Sequence, residues 1–583
     1  MNAYAHLCAA FANHGHAFAD FFWDSKIFQK ETWDGIIIFI RLVLTLGGAM
    51  LLIYEARARK LGEPLRKRKL RRWALALAVI SFCSYFDFGN AHTRYSEFYH
   101  RHEFYHYYLG SKYSRELGYV RLYECTAIAE VDLGHGDDVR KQELRDLRVN
   151  LIIPMTDSYV FSDPEKCKRR FTAERWEDFK HDVDWFRNSA NGDYWHDMKK
   201  DHGYNPPPVW TMSGKFFASL APAGDGFFKL LASIDVILHA LTLWLMWWAF
   251  GWRVGLATAL FWGVNAAANT YFTGGAFLRQ DWLLLFVASV AFARKRKFVL
   301  AGAALTWSSL LRAFPIVALF GWGVIIGIHV FRRWQLYRAG QVPAQGYFAV
   351  DSWLGKDHQR LLAGCIIAAS VLIPASVVVT GPNSYAEFYQ HTLHTHDNTP
   401  LSNHMGLRSI MASTWEGRMR FLRNDNLADS FQEWKQGRVD RNEAQKPIRW
   451  AIIGFIALWT VWSLRKTKLL WLGPVMSLPL LMCTTELTCY YYSFFIVAAA
   501  LIRQRPTFGP PLLAISGASQ IVSRSFYWVD DKFVAMSYLY LLLSLLMLYV
   551  YSRPFSLERM RTWLEGKRET LPHNSARRLN LAP

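Results

Sequence analysis

Residues Arg66–Gly89 read RKRKLRRWALALAVISFCSYFDFG. A dense basic cluster, RKRKLRR (Arg66–Arg72), runs directly into an apolar stretch, Trp73–Phe86, which ends on Asp87. Lys/Arg-rich flanks stay on the cytoplasmic side of a membrane, so this order predicts a helix that starts in the cytoplasm and emerges on the opposite face. A carboxylate at the emerging end is a costly placement, which makes Asp87 a candidate functional residue. The plain alternative is a helix that simply ends in water.

The rest of the 583-residue chain repeats the pattern. It is 52% hydrophobic and 16% aromatic, with 25 Trp and 40 Phe, a load suited to aromatic belts at membrane–water interfaces. The net charge of +20 sits in short clusters between apolar runs, as in cytoplasmic loops facing anionic lipid, and speaks against a nucleic-acid partner. No N-terminal stretch has the basic, apolar, small-residue order of a cleaved signal, so the first helix is expected to remain.

Apolar length, set against a hydrocarbon core of roughly 30 Å, predicts about 13 spanning helices. They fall near 34–55, 72–89, 227–251, 254–272, 280–293, 298–312, 313–331, 361–381, 449–464, 468–484, 489–503, 508–524 and 533–551. The clusters at Arg57–Arg72, Arg253, Arg294–Lys297, Arg332–Arg338, Arg465–Lys468, Arg503–Arg505 and from Arg553 onward fall on alternate connections. All can share the cytoplasmic side, which leaves residues 1–33 outside and the tail inside. The expected fold is thus an all-α polytopic membrane protein. Its parts are an N-terminal segment with an extra helix (1–71), a core (72–381) containing a large first outer connection (88–226), a second outer connection (382–448), C-terminal helices (449–551) and a basic tail (552–583).

The first outer connection is crowded with Tyr, His, Asp and Glu, and its aromatic density argues against disorder. Cys125 and Cys167 both fall in it, where a disulfide is plausible; Cys483 and Cys489 offer a second pairing, and Cys83 and Cys365 read as membrane-core residues. Asp137 and Asp138 beside Gly134 and Gly136 read as an exposed acidic turn. His102-Glu103-Phe104-Tyr105-His106 matches H-E-x-x-H, which on a helix sets two imidazoles one turn apart with a Glu beside them. Glu124 or Glu130 could complete a zinc site, giving a metallopeptidase as one alternative. In a segment this rich in His and Glu, a chance match, a non-catalytic metal or a polar substrate contact competes with it.

A carboxylate just past a cytoplasm-anchored helix, a long first outer connection, then many helices with short connections: this order resembles the GT-C class of integral membrane glycosyltransferases. Asp87-Phe88-Gly89, YHYYLGSKYSRELGY (Tyr105–Tyr119) and GYNPPPVW (Gly203–Trp210) look like the Asp, the Gly-x-x-Tyr stretch and the Tyr-x-Pro-Pro element of the first loop of such enzymes. GAFLRQD (Gly275–Asp281) and LRAFP (Leu311–Pro315) are similar to the Gln-Asn pair and Lys-x-x-Pro of the polyprenyl-phosphate-mannose-dependent branch, with Asp281 in place of the Asn and Arg312 in place of the Lys.

The resemblance implies transfer of a sugar from a polyprenyl-phosphate donor to a glycan, lipid or protein hydroxyl. It also implies a bacterial inner membrane, with the active site facing the periplasm or cell exterior. A base must take the acceptor proton, and Asp87 is the expected one. The departing phosphate calls for cations, for which Arg279 and Arg312 at outer helix ends are candidates, the alternative being snorkelling anchors. Arg408 and His404, in HTLHTHDNTPLSNHMGLR (His391–Arg408), could cover the donor head group, while His391, His394 and His396 read as solvated loop residues. Glu103, His102, His106, Tyr204 and Glu486 are candidate sugar or acceptor contacts. Tyr95, Tyr105, Tyr107, Tyr113 and Trp210 also suit a sugar face, although packing accounts for any one of them equally well. No cofactor is required, and a divalent metal remains compatible. A transporter or flippase is the other alternative; it calls for inverted repeats and mid-membrane charges, and the sequence shows no repeat.

Overall fold

The structure is a computed structural model that describes residues 30–89, 98–340, 353–395 and 399–552. Tyr95, His396, most of the expected outer N-terminal segment and the basic tail from Arg553 lie outside the described residues. The bundle helices are α1 (Lys30–Leu61), α2 (Lys67–Tyr85), α3 (Asp225–Phe250), α4 (Trp252–Val264), α5 (Asp281–Arg294) and α6 (Phe298–Leu311), followed by α7 (Leu319–Arg338), α8 (Lys356–Thr380), α9 (Lys446–Leu464), α10 (Gly509–Ser525) and α11 (Val529–Tyr551). The β content among the described residues is two small two-stranded ladders.

Among the described residues, six helical segments are long and apolar enough to cross a membrane: Thr32–Leu61, Asp225–Phe250, Phe314–Arg338, Lys356–Thr380, Lys446–Leu464 and Val529–Tyr551. The protein is a multi-pass, all-α membrane protein, with fewer such helices than the 13 expected. The expected spans at 254–272, 280–293 and 298–312 fold as α4, α5 and α6, of 13, 14 and 14 residues. At 1.5 Å per residue each is about 20 Å long, short of a hydrocarbon core of roughly 30 Å. The run at 468–484 breaks into Leu472–Met476 and Leu478–Thr484, each with a proline in its first turn or next to it. Residues Cys489–Arg503 form a 3-10 helix, α10 has 17 residues, and α2 opens on its basic cluster.

The reason for the discrepancy is that hydropathy reports apolarity, not contact with lipid. Every residue of α4 from Val254 to Val264 is buried by neighbouring protein, as is nearly all of Cys489–Arg503. Irregular or short backbone at membrane depth is tolerated where protein surrounds it. Small residues allow the closest approaches. Gly302 of α6 and Gly364 of α8 face each other so tightly that a Cβ on either would lie 2.0–2.1 Å from a backbone carbonyl oxygen of the other helix.

The first connection is a folded helical unit rather than the expected large loop. Short helices, the 17-residue helix Ala173–Ser189 and the antiparallel pair Glu143–Asp146 with Leu151–Pro154 make up its frame. Its aromatic residues form its core: Tyr105, Tyr108, Tyr113, Phe186 and Trp195 are all buried. Two buried ionic knots hold the helices. Lys112 donates to Asp182 at 2.7 Å, as does the Tyr113 hydroxyl. Glu130 accepts from Trp195 Nε1 and Arg187 Nη1 at 2.7 Å each, and from Lys199 Nζ at 2.5 Å. In the second connection, Gln432–Ala444 is the longest helix, and His404–Met405 pairs with Leu487–Thr488.

The Cys125–Cys167 disulfide is present, with its Cα atoms 5.6 Å apart, whereas Cys483 and Cys489 are both free and buried, which corrects the second pairing. It closes a sequence separation of 42 residues, for which chain entropy assigns about 4 kcal/mol. Cys125→Ser and the reduced wild type are therefore expected to melt at similarly lowered temperatures in detergent. An unchanged midpoint in both would remove the disulfide from the stability account.

Candidate functional site

A cavity of about 1020 Å³ opens where the ends of α1, α2, α10 and α11 meet the folded unit and the second connection. Asp87 lines it, immediately after α2. The Asp87 carboxylate accepts a hydrogen bond from Arg41 Nη2 of α1 at 2.9 Å, and the same nitrogen holds the Ser84 carbonyl at 2.5 Å. The backbone there is strained. Asp87 (φ 49°), Phe88 (φ 56°) and Gly89 (φ 87°) are all left-handed, a conformation that costs a non-glycine residue about 1–2 kcal/mol. Arg41 thus fixes both the carboxylate and the helix end carrying it.

His102 and Glu103 line the same cavity. The Glu103 amide donates to His100 Nδ1, and its carboxylate lies 3.0 Å from Arg279 Nε. Arg279 is itself almost wholly enclosed. It donates to the Tyr107 hydroxyl and, at 3.1 Å, to the Tyr490 hydroxyl, and its guanidinium stacks 4.5 Å from the Tyr107 ring. The turn carrying it is held by Asp235 of α3, which accepts from the Arg279 and Gln280 amides. Burial, helped by the Asp201 charge, holds the Glu103 carboxyl above its ordinary range against the opposing pull of Arg279.

Arg312 sits beside this cluster, in the extended break between α6 and the turn that starts at Phe314. It is 6% exposed and lies 5.6 Å over the Trp210 ring. Among the described residues its Nη1 donates to the Leu311 carbonyl, and its buried Nε and Nη2 have no hydrogen-bond acceptor. Donors in that state call for an acceptor from outside the chain, and guanidinium forks match phosphate oxygens.

His102 and His106 converge, and Asp201 joins them from far along the chain. One ligand atom from each lies within 4.8 Å of the others. His102 Nε2 is 3.5 Å from Asp201 Oδ2, and the two imidazole rings are 4.5 Å apart. Although burial would raise it, His102, His106 and His202 hold the Asp201 carboxyl below its ordinary value. Neither Glu124 nor Glu130 is the third member expected from the sequence. Glu130 is spent in the Lys199–Arg187–Trp195 knot, and Glu124 faces Arg148 at 3.6 Å.

Glu486, Arg408 and His404 form a separate buried knot. Glu486 Oε1 accepts from Ser409 Oγ at 2.7 Å and from Arg438 Nη2 at 2.9 Å, and Oε2 lies 3.5 Å from Arg408 Nε. Burial would raise this carboxyl, but Arg438, His404 and Arg408 outweigh it and bring it down to about 2. These residues brace the second connection; the cavity itself is lined by Leu401–Asn403 just before His404. Tyr204 is buried, bonds Thr211 Oγ1 at 2.6 Å and packs on Gly110; it lies outside the lining of this cavity and borders a smaller one of about 360 Å³. Tyr105, Tyr113 and Trp210 are core, and His391 is buried against the Leu147 carbonyl instead of solvated.

Sequence reasoning missed Arg41, Asp235, Asp201 and Tyr490. Arg41 and Asp235 carried a readable signal, a lone charge inside an apolar run; Asp201 and Tyr490 carried none. No protein-family model, no characterised protein and no solved structure matches the chain.

Glu124 generates a pH prediction. It is 1% exposed, both carboxylate oxygens lack hydrogen bonds, and burial pushes its carboxyl up to about 7. A carboxyl raised on folding contributes its stability below its unfolded value and loses it as pH rises through about 7. Glu124→Gln is expected to melt like wild type near pH 4 but higher at pH 8, by up to about 3 kcal/mol. Parallel melting curves across that range would place the carboxylate in a solvated site instead.

Proposed function

We propose that this protein is a GT-C-type membrane glycosyltransferase that moves a sugar from a polyprenyl-phosphate donor to an acceptor hydroxyl. The observation that carries the reading is Asp87: a carboxylate on a strained helix end, ion-paired to Arg41 and opening on the large cavity. In this reading the cavity faces the periplasm or the cell exterior of a bacterial inner membrane.

The chemistry follows from the positions. Asp87 takes the proton of the acceptor hydroxyl as that oxygen attacks the anomeric carbon. The bond from that carbon to the phosphate oxygen breaks on the opposite side, inverting the centre, and the lipid phosphate leaves as an anion. One carboxylate suffices because phosphate is a good leaving group, unlike the alkoxide of a glycoside. Arg41 holds the Asp87 carboxylate in place through their 2.9 Å ion pair. Arg279 and Arg312, buried beside Glu103 behind the cavity lining, are the cationic ground assigned to the leaving phosphate, Arg312 with two donors that have no acceptor among the described residues.

The metallopeptidase alternative loses support. Glu103, which would have to activate a metal-bound water, is engaged by Arg279 at 3.0 Å.

The test is a transfer assay with radiolabelled polyprenyl-phosphate sugars. Asp87→Asn is expected to lower transfer by about 10²–10⁴-fold with an unchanged melting temperature. Arg312→Gln is expected to raise the apparent KM for donor by about tenfold, in line with one charge-assisted hydrogen bond. Wild-type turnover in Asp87→Asn would end the proposal.

A further inference from the structure

His102, His106 and Asp201 have the composition and spacing of a metal site, independently of any sugar chemistry. Bonds of 2.0–2.1 Å in a tetrahedral site put neighbouring ligand atoms about 3.3 Å apart. His102 Nε2 and Asp201 Oδ2 already stand at 3.5 Å, and the whole set fits within 4.8 Å, a gap that side-chain rotation closes. The site is open to entry. The His102 and Asp201 side chains are 17% and 44% exposed, and both line the main cavity.

The surroundings of His106 prepare one nitrogen for a metal. His106 Nδ1 lies 2.8 Å from the His102 carbonyl oxygen, which can only accept, so Nδ1 carries the proton and Nε2 the lone pair in the neutral ring. A backbone carbonyl behind the ligating imidazole is the usual outer support of a metal-bound histidine. That lone pair currently takes the Tyr123 hydroxyl proton at 2.8 Å, while the Tyr123 oxygen accepts from the Gly203 amide at 2.8 Å. A cation at Nε2 displaces only the first of these two bonds.

We propose that His102, His106 and Asp201 bind one divalent ion of the zinc class, with its remaining coordination directed into the cavity. Two imidazoles and one carboxylate suit zinc and its first-row neighbours, whereas calcium and magnesium take mainly oxygen ligands. With Glu103 held by Arg279, the ion has no adjacent carboxylate to drive hydrolysis, and it serves as a binding centre.

The test uses the full chain purified in detergent, stripped with chelator and dialysed against Zn²⁺, with metal counted by mass spectrometry and Co²⁺ as an absorbing probe. Wild type is expected to hold one equivalent and to give the visible Co²⁺ band. His106→Ala and Asp201→Asn are expected to bind at least about tenfold more weakly. His358→Ala, taken from the separate His329–His358 pair with rings 4.8 Å apart, is expected to bind like wild type. Tyr123→Phe, which frees the His106 lone pair, is expected to bind more tightly. Folded wild type that holds no zinc overturns the proposal, as does zinc retained in both ligand variants or lost equally in His358→Ala. If both ligand variants fail to fold, Tyr123→Phe decides: tighter Co²⁺ binding supports the site, and unchanged or weaker binding overturns it.

Discussion

Arg279 is the charge around which the interior of this protein is organised. A guanidinium this deeply enclosed costs several kcal/mol unless its donors are met. The groups that meet them, and the one that holds its turn, come from three parts of the chain. Glu103 and Tyr107 come from the folded unit, Tyr490 from the 3-10 helix, and Asp235 in α3 pins the turn that presents it. The cation therefore ties the folded unit to the helix bundle. The same constraint explains why Glu103 is unavailable for other chemistry.

How far the sequence could be read depended on whether a feature was local. The helical class and the Cys125–Cys167 disulfide rest on runs and on compartment, and both are found; the helix expected to reach Asp87 is present but ends at Tyr85, with Asp87 in the turn that follows. The number of long spans was misread because an apolar run means the same to a hydropathy window whether lipid or protein surrounds it, as α4 and Cys489–Arg503 illustrate. The motif H-E-x-x-H correctly paired His102 with His106, yet its carboxylate partner could not be found by spacing. Asp201 reaches the pair through tertiary folding, while Glu124 and Glu130, the sequence choices, are drawn into contacts with Arg148 and Lys199. Arg41 could have been noticed, as an arginine between Ile40 and Leu42 is costly unless it has a partner.

Buried charge is distributed in closed sets: Lys112 with Asp182, Glu130 with Lys199 and Arg187, Glu486 with Arg408 and Arg438. Each set brings opposite charges together inside the protein. Arg312 belongs to no such set, and two of its buried nitrogens lack acceptors among the described residues. Glu124 is the buried carboxyl in a comparable state, with both oxygens lacking hydrogen bonds there as well.

The close contact of Gly302 with Gly364 has a consequence for handling the protein. α8 packs on α6 and on the helix Pro208–Ala218, but only 17% of its most apolar stretch is covered by protein. Its attachment thus relies on backbone meeting backbone, a fit that yields dispersion rather than hydrophobic gain and that depends on lateral lipid packing to keep the helices pressed together. A micelle supplies less of that pressure than a bilayer. The seating of α8 therefore rests on its close fit to α6, and lipid retained during extraction is expected to help keep that fit intact.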